Sequence, residues 1–255
     1  MNKKDMTTYK DEILANCKTL RLSQRVGSRA VDVGTEENLL FLSDLFANEV
    51  AARKDARVEK MINNAGFPRR YELEEFDSSD VCFKDGYSFE LIFSLDFYDR
   101  RDNFIMFGRS QTGKTMLAII IGIYCVHKGI EVRFFRFNTL LRILAEKKAA
   151  GTLESFLRVL RKRVSIIILD EFGYVPPNDN SSISIFFDFI SEVYETKTII
   201  LTTNLEFSRW DTVFQDKALT EAFIGRMTKN AHIITFNGVS HTLKKNETEK
   251  TNKAE

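Results

Sequence analysis

Cysteine, histidine and proline each occur only three times in 255 residues, and tryptophan once. Cys17, Cys82 and Cys125 lie far apart without CxxC spacing, and His127, His232 and His241 are equally scattered. Neither set has the clustering that a zinc site or a disulfide framework needs. A reduced, cytoplasmic setting is therefore expected. Long apolar runs are also lacking. The longest, from Met116 to Val126, is too short to cross a bilayer, so no membrane association is expected. Met1-Asn2-Lys3-Lys4-Asp5 leads into no apolar segment, and a secretory signal is not expected either. Nor does one sign of charge dominate. The net charge is +1, so any affinity for nucleic acid must come from local patches.

What the chain does have is a phosphate-binding pattern, Gly108-Arg109-Ser110-Gln111-Thr112-Gly113-Lys114-Thr115. It follows the short apolar run Phe104-Ile105-Met106-Phe107 and precedes a long apolar stretch beginning at Met116. That is the strand, loop and helix context in which the pattern works. Gly108 and Gly113 let the backbone curl so that its N–H groups surround an anion, and the helix N-terminus faces the same phosphates. Lys114 can reach the β- and γ-phosphates, and the Thr115 hydroxyl can bind Mg²⁺.

A second signal lies about 55 positions on. Ser165-Ile166-Ile167-Ile168-Leu169 reads as a buried strand and ends in Asp170-Glu171. A carboxylate at the carboxyl end of such a strand, beside a phosphate loop, suits a Mg²⁺ ligand, here Asp170. Glu171 is placed to orient and deprotonate a water. The strand Thr198-Ile199-Ile200-Leu201-Thr202 runs into Thr203-Asn204. In a parallel sheet Asn204 would reach the γ-phosphate or the attacking water, or it simply ends the strand as a turn residue. Arg226, in Gly225-Arg226-Met227 before the last strand, is a further candidate, although nothing local identifies its contact.

Residues 6 to about 64 read as helical. Tyr9, Ile13, Cys17 and Leu20 share one face, Gly27 and Gly34 bracket a break, and Thr35 is a plausible N-cap before Glu36 and Glu37. The next helix carries Leu39, Leu42, Phe46 and Val50, then turns basic. Lys18, Arg21, Arg53, Arg57, Lys60 and Arg70 form local basic patches, with complementation of the helix dipole as one explanation for those near the end of that helix. Residues 72–99 hold nine acids and one lysine and read as a connecting segment. From residue 103, strands near 104–107, 132–137, 165–170, 198–202 and 232–236 alternate with helices near 113–128, 139–162, 181–195 and 216–228. That alternation predicts a mostly parallel sheet covered on both faces. The expected organisation is therefore a helical domain over 1–71, an acidic connector over 72–102, an α/β domain over 103–243 and a disordered polar tail over 244–255.

Several blocks together resemble the IstB-like ATPases, helpers of insertion-sequence transposition. They are Leu169 to Pro176, Ile199 to Trp210, Phe214 to Leu219, Arg226 with Ala231-His232, Asn63 to Pro68, and Leu95-Asp96-Phe97. The resemblance spans about residues 10 to 244. It implies an AAA+ P-loop core related to DnaC-type helicase loaders, without a helical lid, preceded by a small helical domain. It further implies ATP and Mg²⁺ as cofactors, and assembly into a homo-oligomer on double-stranded DNA. The resemblance thereby makes Lys18, Arg21, Arg53, Arg57, Lys60 and Arg70 candidate contacts to DNA phosphates. A cognate transposase is the implied partner, and a replicative helicase, served by a loader, is the alternative. Asn204 takes the sensor position and Arg226 the position of an arginine finger acting on a neighbour's γ-phosphate. The phosphate-binding segment runs from Gly108 through Met116. Where the family's loop reads Gly-Pro-Pro-Gly-Thr-Gly-Lys-Thr, this chain has Arg109, Ser110 and Gln111 at the variant positions, so Gln111 must adopt a conformation that glycine accepts more readily. Two further readings compete: a small-molecule phosphotransferase, and a nucleotide-gated binding module that would not need Glu171.

Overall fold

The computed structural model describes residues 6–84, 86–174 and 180–238. The expected disordered tail from 244, the residues Met1–Asp5, and Val175-Pro176 lie outside these residues. The chain divides into two compact units, Met1–Lys60 and Met61–Glu255.

In the first unit, α1 (Met6–Thr19) and α2 (Gln24–Val33) pack together, and α3 (Glu36–Ala65) begins there. The apolar spacing read along α1 places Ile13 and Cys17 in a small core with Leu39 of α3, flanked by Tyr9, Leu42 and Phe46. Thr35 accepts a hydrogen bond from the Asn38 N–H at 3.4 Å, as an N-cap does. One expectation fails. Gly27 does not mark a break but lies buried inside α2, where a Cβ would come within 3.1 Å of Leu14 and 3.3 Å of Cys17. The glycine serves close approach of two helices, and Gly34 alone marks the break.

The second unit is built on six strands: β1 (Val81–Phe83), β2 (Asn103–Gly108), β3 (Val132–Arg136), β4 (Ile166–Phe172), β5 (Thr198–Thr203) and β6 (Ala231–Phe236). Their spatial order is β1-β6-β2-β5-β4-β3, with β1 antiparallel to β6 and every other pairing parallel. The strand feeding the phosphate loop is therefore interior, with β5 between it and the acid-tipped β4. Five of the six strands were expected. The sixth, with the short helices α4 (Phe89–Ser94) and α5 (Asp96–Arg100), lies in the segment read as a connector. That segment contributes a strand to the sheet.

Helices α6 (Lys114–His127), α7 (Phe137–Ala149), α8 (Leu153–Arg163), α9 (Asn180–Val193), α10 (Asp211–Phe214) and α11 (Lys217–Thr228) complete the unit. Alternation along the strands sorts them onto two faces. Ile167 and Leu169 of β4 join the large core with residues of α7, α8, α9 and α11, whereas Ile168 between them packs against Gly122 of α6. Covering both faces explains why the central strands are continuous aliphatic runs.

Candidate active site

The loop after β2 turns because its backbone visits the left-handed region three times, at Gly108 (φ +157°), Gln111 (φ +62°) and Gly113 (φ +96°). Gln111 thus adopts the conformation expected of it, at a cost that glycine would avoid. Gly108 is fixed by space as well. A Cβ there would meet the Phe236 carbonyl oxygen at 2.5 Å, where β6 runs alongside β2. Lys114, at the start of α6, is buried. Its Nζ donates to the carbonyls of Gly108 (2.8 Å) and Arg109 (2.5 Å). The Thr112 hydroxyl donates to the same Arg109 carbonyl at 2.8 Å. Burial pulls the Lys114 pKa from 10.5 down to about 8, against the opposing charges of Asp170 and Glu171.

Asp170, 1% exposed, accepts two hydroxyl hydrogen bonds on Oδ1, from Thr115 at 2.6 Å and Thr202 at 2.7 Å. Thr202 was not singled out from the sequence. It ties β5 to β4 twice, because its Oγ1 also accepts the Glu171 N–H at 3.0 Å. The ladder between β4 and β5 slips between Leu169 and Phe172, and Glu171 within the slip has φ +57°. A bulge with a non-glycine residue held at positive φ re-aims a side chain. Here it exposes the Glu171 carboxylate while Asp170 and Phe172 stay buried. Arg136 at the end of β3 approaches Glu171 at 3.8 Å, with both side chains at least half exposed, so the pair contributes little.

These groups converge on a cavity of about 220 Å³ lined by Gln111, Lys114, Thr115, Glu171, Thr202 and Asn204. A larger hollow of about 680 Å³ adjoins it through Asn204, lined by Arg109, Arg209 and the end of β6. The smaller one is the candidate site, since Lys114, Thr115 and Glu171 line it and none of them lines the larger. Hydroxyl and carboxylate oxygens of Thr115 and Asp170 are the hard donors that Mg²⁺ takes. Asn204 is exposed at the rim. Thr203 behind it is buried, with its hydroxyl donating to the Phe172 carbonyl and accepting the Leu205 N–H.

Arg226 is not among them. It lies at the end of α11, which precedes the amino end of β6, and β6 runs parallel to β2. The phosphate loop leaves the carboxyl end of β2, so Arg226 sits at the opposite sheet edge. Its Nη1 donates to the Ala222 carbonyl at 3.1 Å, and its guanidinium lies 4.8 Å from the Phe187 ring centroid. Of the candidate DNA contacts, Lys18, Arg21, Arg57 and Lys60 are exposed. Arg53 donates to the Leu20 carbonyl at the end of α1 (3.2 Å) and pairs with Glu49, so it caps a helix. Arg70 donates to Asn63 at 3.2 Å.

Sheet order, phosphate loop and acid-tipped strand define an AAA+ phosphate-loop nucleotide-binding fold. The AMPPCP-bound structure of DnaA from Aquifex aeolicus shares it with a TM-score of 0.55 at 21% identity, over 74% of this chain and 56% of that one. The chain belongs to the IstB-like ATP binding protein family, whose model matches residues 20–249. It is 32% identical over 230 residues to a protein named for ATP binding in insertion sequence IS232 of Bacillus thuringiensis subsp. berliner, covering 89% of this chain and 91% of that one. A protein so named in insertion sequence IS21 of Pseudomonas aeruginosa is also 32% identical, over 80% of this chain and 76% of its own length. Among the described residues no helix is long and apolar enough to cross a membrane.

Proposed function

We propose that this chain hydrolyses ATP in a self-assembled oligomer on double-stranded DNA and thereby serves a cognate insertion-sequence transposase in the cytoplasm. The observation that carries this reading is the separation of Arg226 from the phosphate loop across the sheet. An arginine on the far edge can reach a γ-phosphate only in another copy, which couples turnover to assembly.

In each site Lys114 turns from the loop carbonyls to the β- and γ-phosphates. Thr115 and Asp170 are the residues that would hold Mg²⁺, which when bound neutralises phosphate charge. Glu171 accepts a proton from water as the oxygen adds to the γ-phosphorus. The bond to the β-phosphate oxygen breaks, and ADP leaves with that oxygen. Asn204 orients the water or the γ-phosphate from the rim. Arg226 of a neighbour stabilises the charge that develops. The amino-terminal helices grip DNA through phosphates, without reading sequence.

The test is ATP hydrolysis by the full chain with and without double-stranded DNA. DNA should raise the rate. Glu171→Gln should lower it by about 10²–10⁴-fold and Arg226→Ala by about 10³-fold or more, with ATP still bound. Hydrolysis indifferent to both DNA and Arg226 would overturn the assembly mechanism and favour a small-molecule phosphotransferase. Capture by transposase rather than by a replicative helicase would fix the partner.

A further inference from the structure

Four cations line one small cavity, about 150 Å³, on the sheet edge that carries Arg226: Arg100, Arg101, Arg226 and Lys229. Two of them are neutralised. Arg100 pairs with Asp102 at 2.8 Å and Lys229 with Glu195 at 2.6 Å. Among the described residues no carboxylate pairs with Arg101 or Arg226. Each guanidinium is instead braced by one carbonyl and one ring. Arg101 Nη1 donates to the Tyr98 carbonyl, and the group lies 4.6 Å from the Tyr98 ring centroid. Arg226 repeats the arrangement with Ala222 and Phe187. A bracing of this kind holds a fork of N–H donors in place without cancelling its charge.

The spacing of the two arginines is also fixed. Arg101 has φ +61°, uncommon for a residue with a side chain, and ends α5 immediately before β2. Two residues on, buried Asn103 takes the Asn230 carbonyl with its N–H at 2.7 Å and donates its Nδ2 to the Met227 carbonyl at 3.5 Å. Its Oδ1 accepts the Ile199 N–H at 2.9 Å. The turn carrying Arg101 is thereby tied to the end of the helix carrying Arg226. The positive field of Arg101 extends to Lys197, whose pKa is lowered by burial first and by Arg101 second. Two pinned, like-charged guanidiniums sharing a cavity form an incomplete site until a multiply charged anion enters it.

We infer that Arg101 acts together with Arg226 as a second cation in trans, both engaging the nucleotide phosphates of a neighbouring copy. This rests on the proposed assembly, and the test separates the two. Arg101→Ala and Arg101→Asn, the latter compatible with positive φ, should each lower DNA-stimulated hydrolysis about 100- to 1,000-fold, as loss of one preorganised donor does. Their DNA affinity should be unchanged. Mixed in equal amounts with Glu171→Gln subunits, which bring an intact Arg101, each should recover to about a quarter of wild type, because a head-to-tail interface is productive in only that pairing. Arg226→Ala should recover likewise.

Full activity of both Arg101 variants overturns the inference. So does loss that the Glu171→Gln subunits restore for Arg226→Ala but not for Arg101. Loss that follows weakened DNA binding assigns the cavity to a DNA phosphate and overturns it too. If no mixture recovers, the assembly reading falls and takes this inference with it.

Discussion

Lys114 is an ammonium buried against two carbonyls, and its lowered pKa of about 8 has a direct consequence for nucleotide binding. A triphosphate beside it favours the charged form and raises that pKa again. Binding above pH 8 therefore takes up a proton, and affinity falls as pH rises through about 8, because the free protein must first be protonated. Calorimetry near about pH 8.5 in two buffers of different ionisation enthalpy should show net proton uptake, absent in Lys114→Met. Thr202 offers a second residue-level expectation. Thr202→Val removes a donor to Asp170 and leaves the Glu171 N–H without its acceptor, which should cost about 1–3 kcal/mol of stability in urea unfolding. Hydrolysis should fall further than ATP binding. The phosphate loop was legible in the sequence because its turns dictate glycine and its chemistry dictates Lys114 and Thr115. Thr202 was not, because its role exists only where β5 lies beside β4 and a slipped ladder turns Glu171 outward.

Aromatic packing links the elements that carry Glu171 and Asn204. Phe172, next to Glu171, lies with ring centroids 4.8 Å from Phe137, 4.8 Å from Trp210 and 5.3 Å from Phe223. Trp210, fully buried, also donates its indole N–H to the Leu205 carbonyl at 3.2 Å, fastening the chain just after Asn204. Removing that strut acts on β4 and β5 together and leaves the loop between β2 and α6 untouched. Trp210→Ala should destabilise the chain by about 3–5 kcal/mol. Trp210→Phe, which keeps most of the ring, should lose hydrolysis while retaining ATP affinity, as equilibrium binding beside steady-state rates would show. Equal losses in both would mean that the aromatic core does not position the Glu171 carboxylate selectively. Trp210 could be noticed in the sequence as part of a family block, but its work as a strut needs the packing of four aromatic side chains distant in sequence. The central strands β4 and β5 were legible as aliphatic runs. β1, three residues in an acidic stretch, carries no such run, and only its pairing with β6 makes it a strand.

At the scale of the whole chain, positive and negative charges nearly cancel, so the proposed binding to DNA would rest on where the cations stand and what already engages them. The amino-terminal basic residues divide on that criterion. Arg53, Arg57 and Lys60 are all exposed on α3, but Arg53 is engaged by the Leu20 carbonyl at the end of α1 and by Glu49. Arg53→Glu should therefore act mainly on the first unit's stability, by removing a helix cap worth about 1 kcal/mol, and only secondarily on DNA. Arg57→Glu with Lys60→Glu should leave the thermal midpoint within a few degrees of wild type, as surface substitutions do. It should weaken DNA binding to the same extent on unrelated sequences. It should also flatten the logarithmic dependence of affinity on salt by about 0.9 for each DNA phosphate that is no longer neutralised. A titration of fluorescent duplexes across salt concentrations, beside thermal melts of both variants, separates these effects. Unchanged affinity and slope in the double variant would move DNA binding away from α3 and leave its basic face to the partner protein. The family supplies the expectation that DNA is bound, and the occupancy of each guanidinium decides which residues are left to bind it.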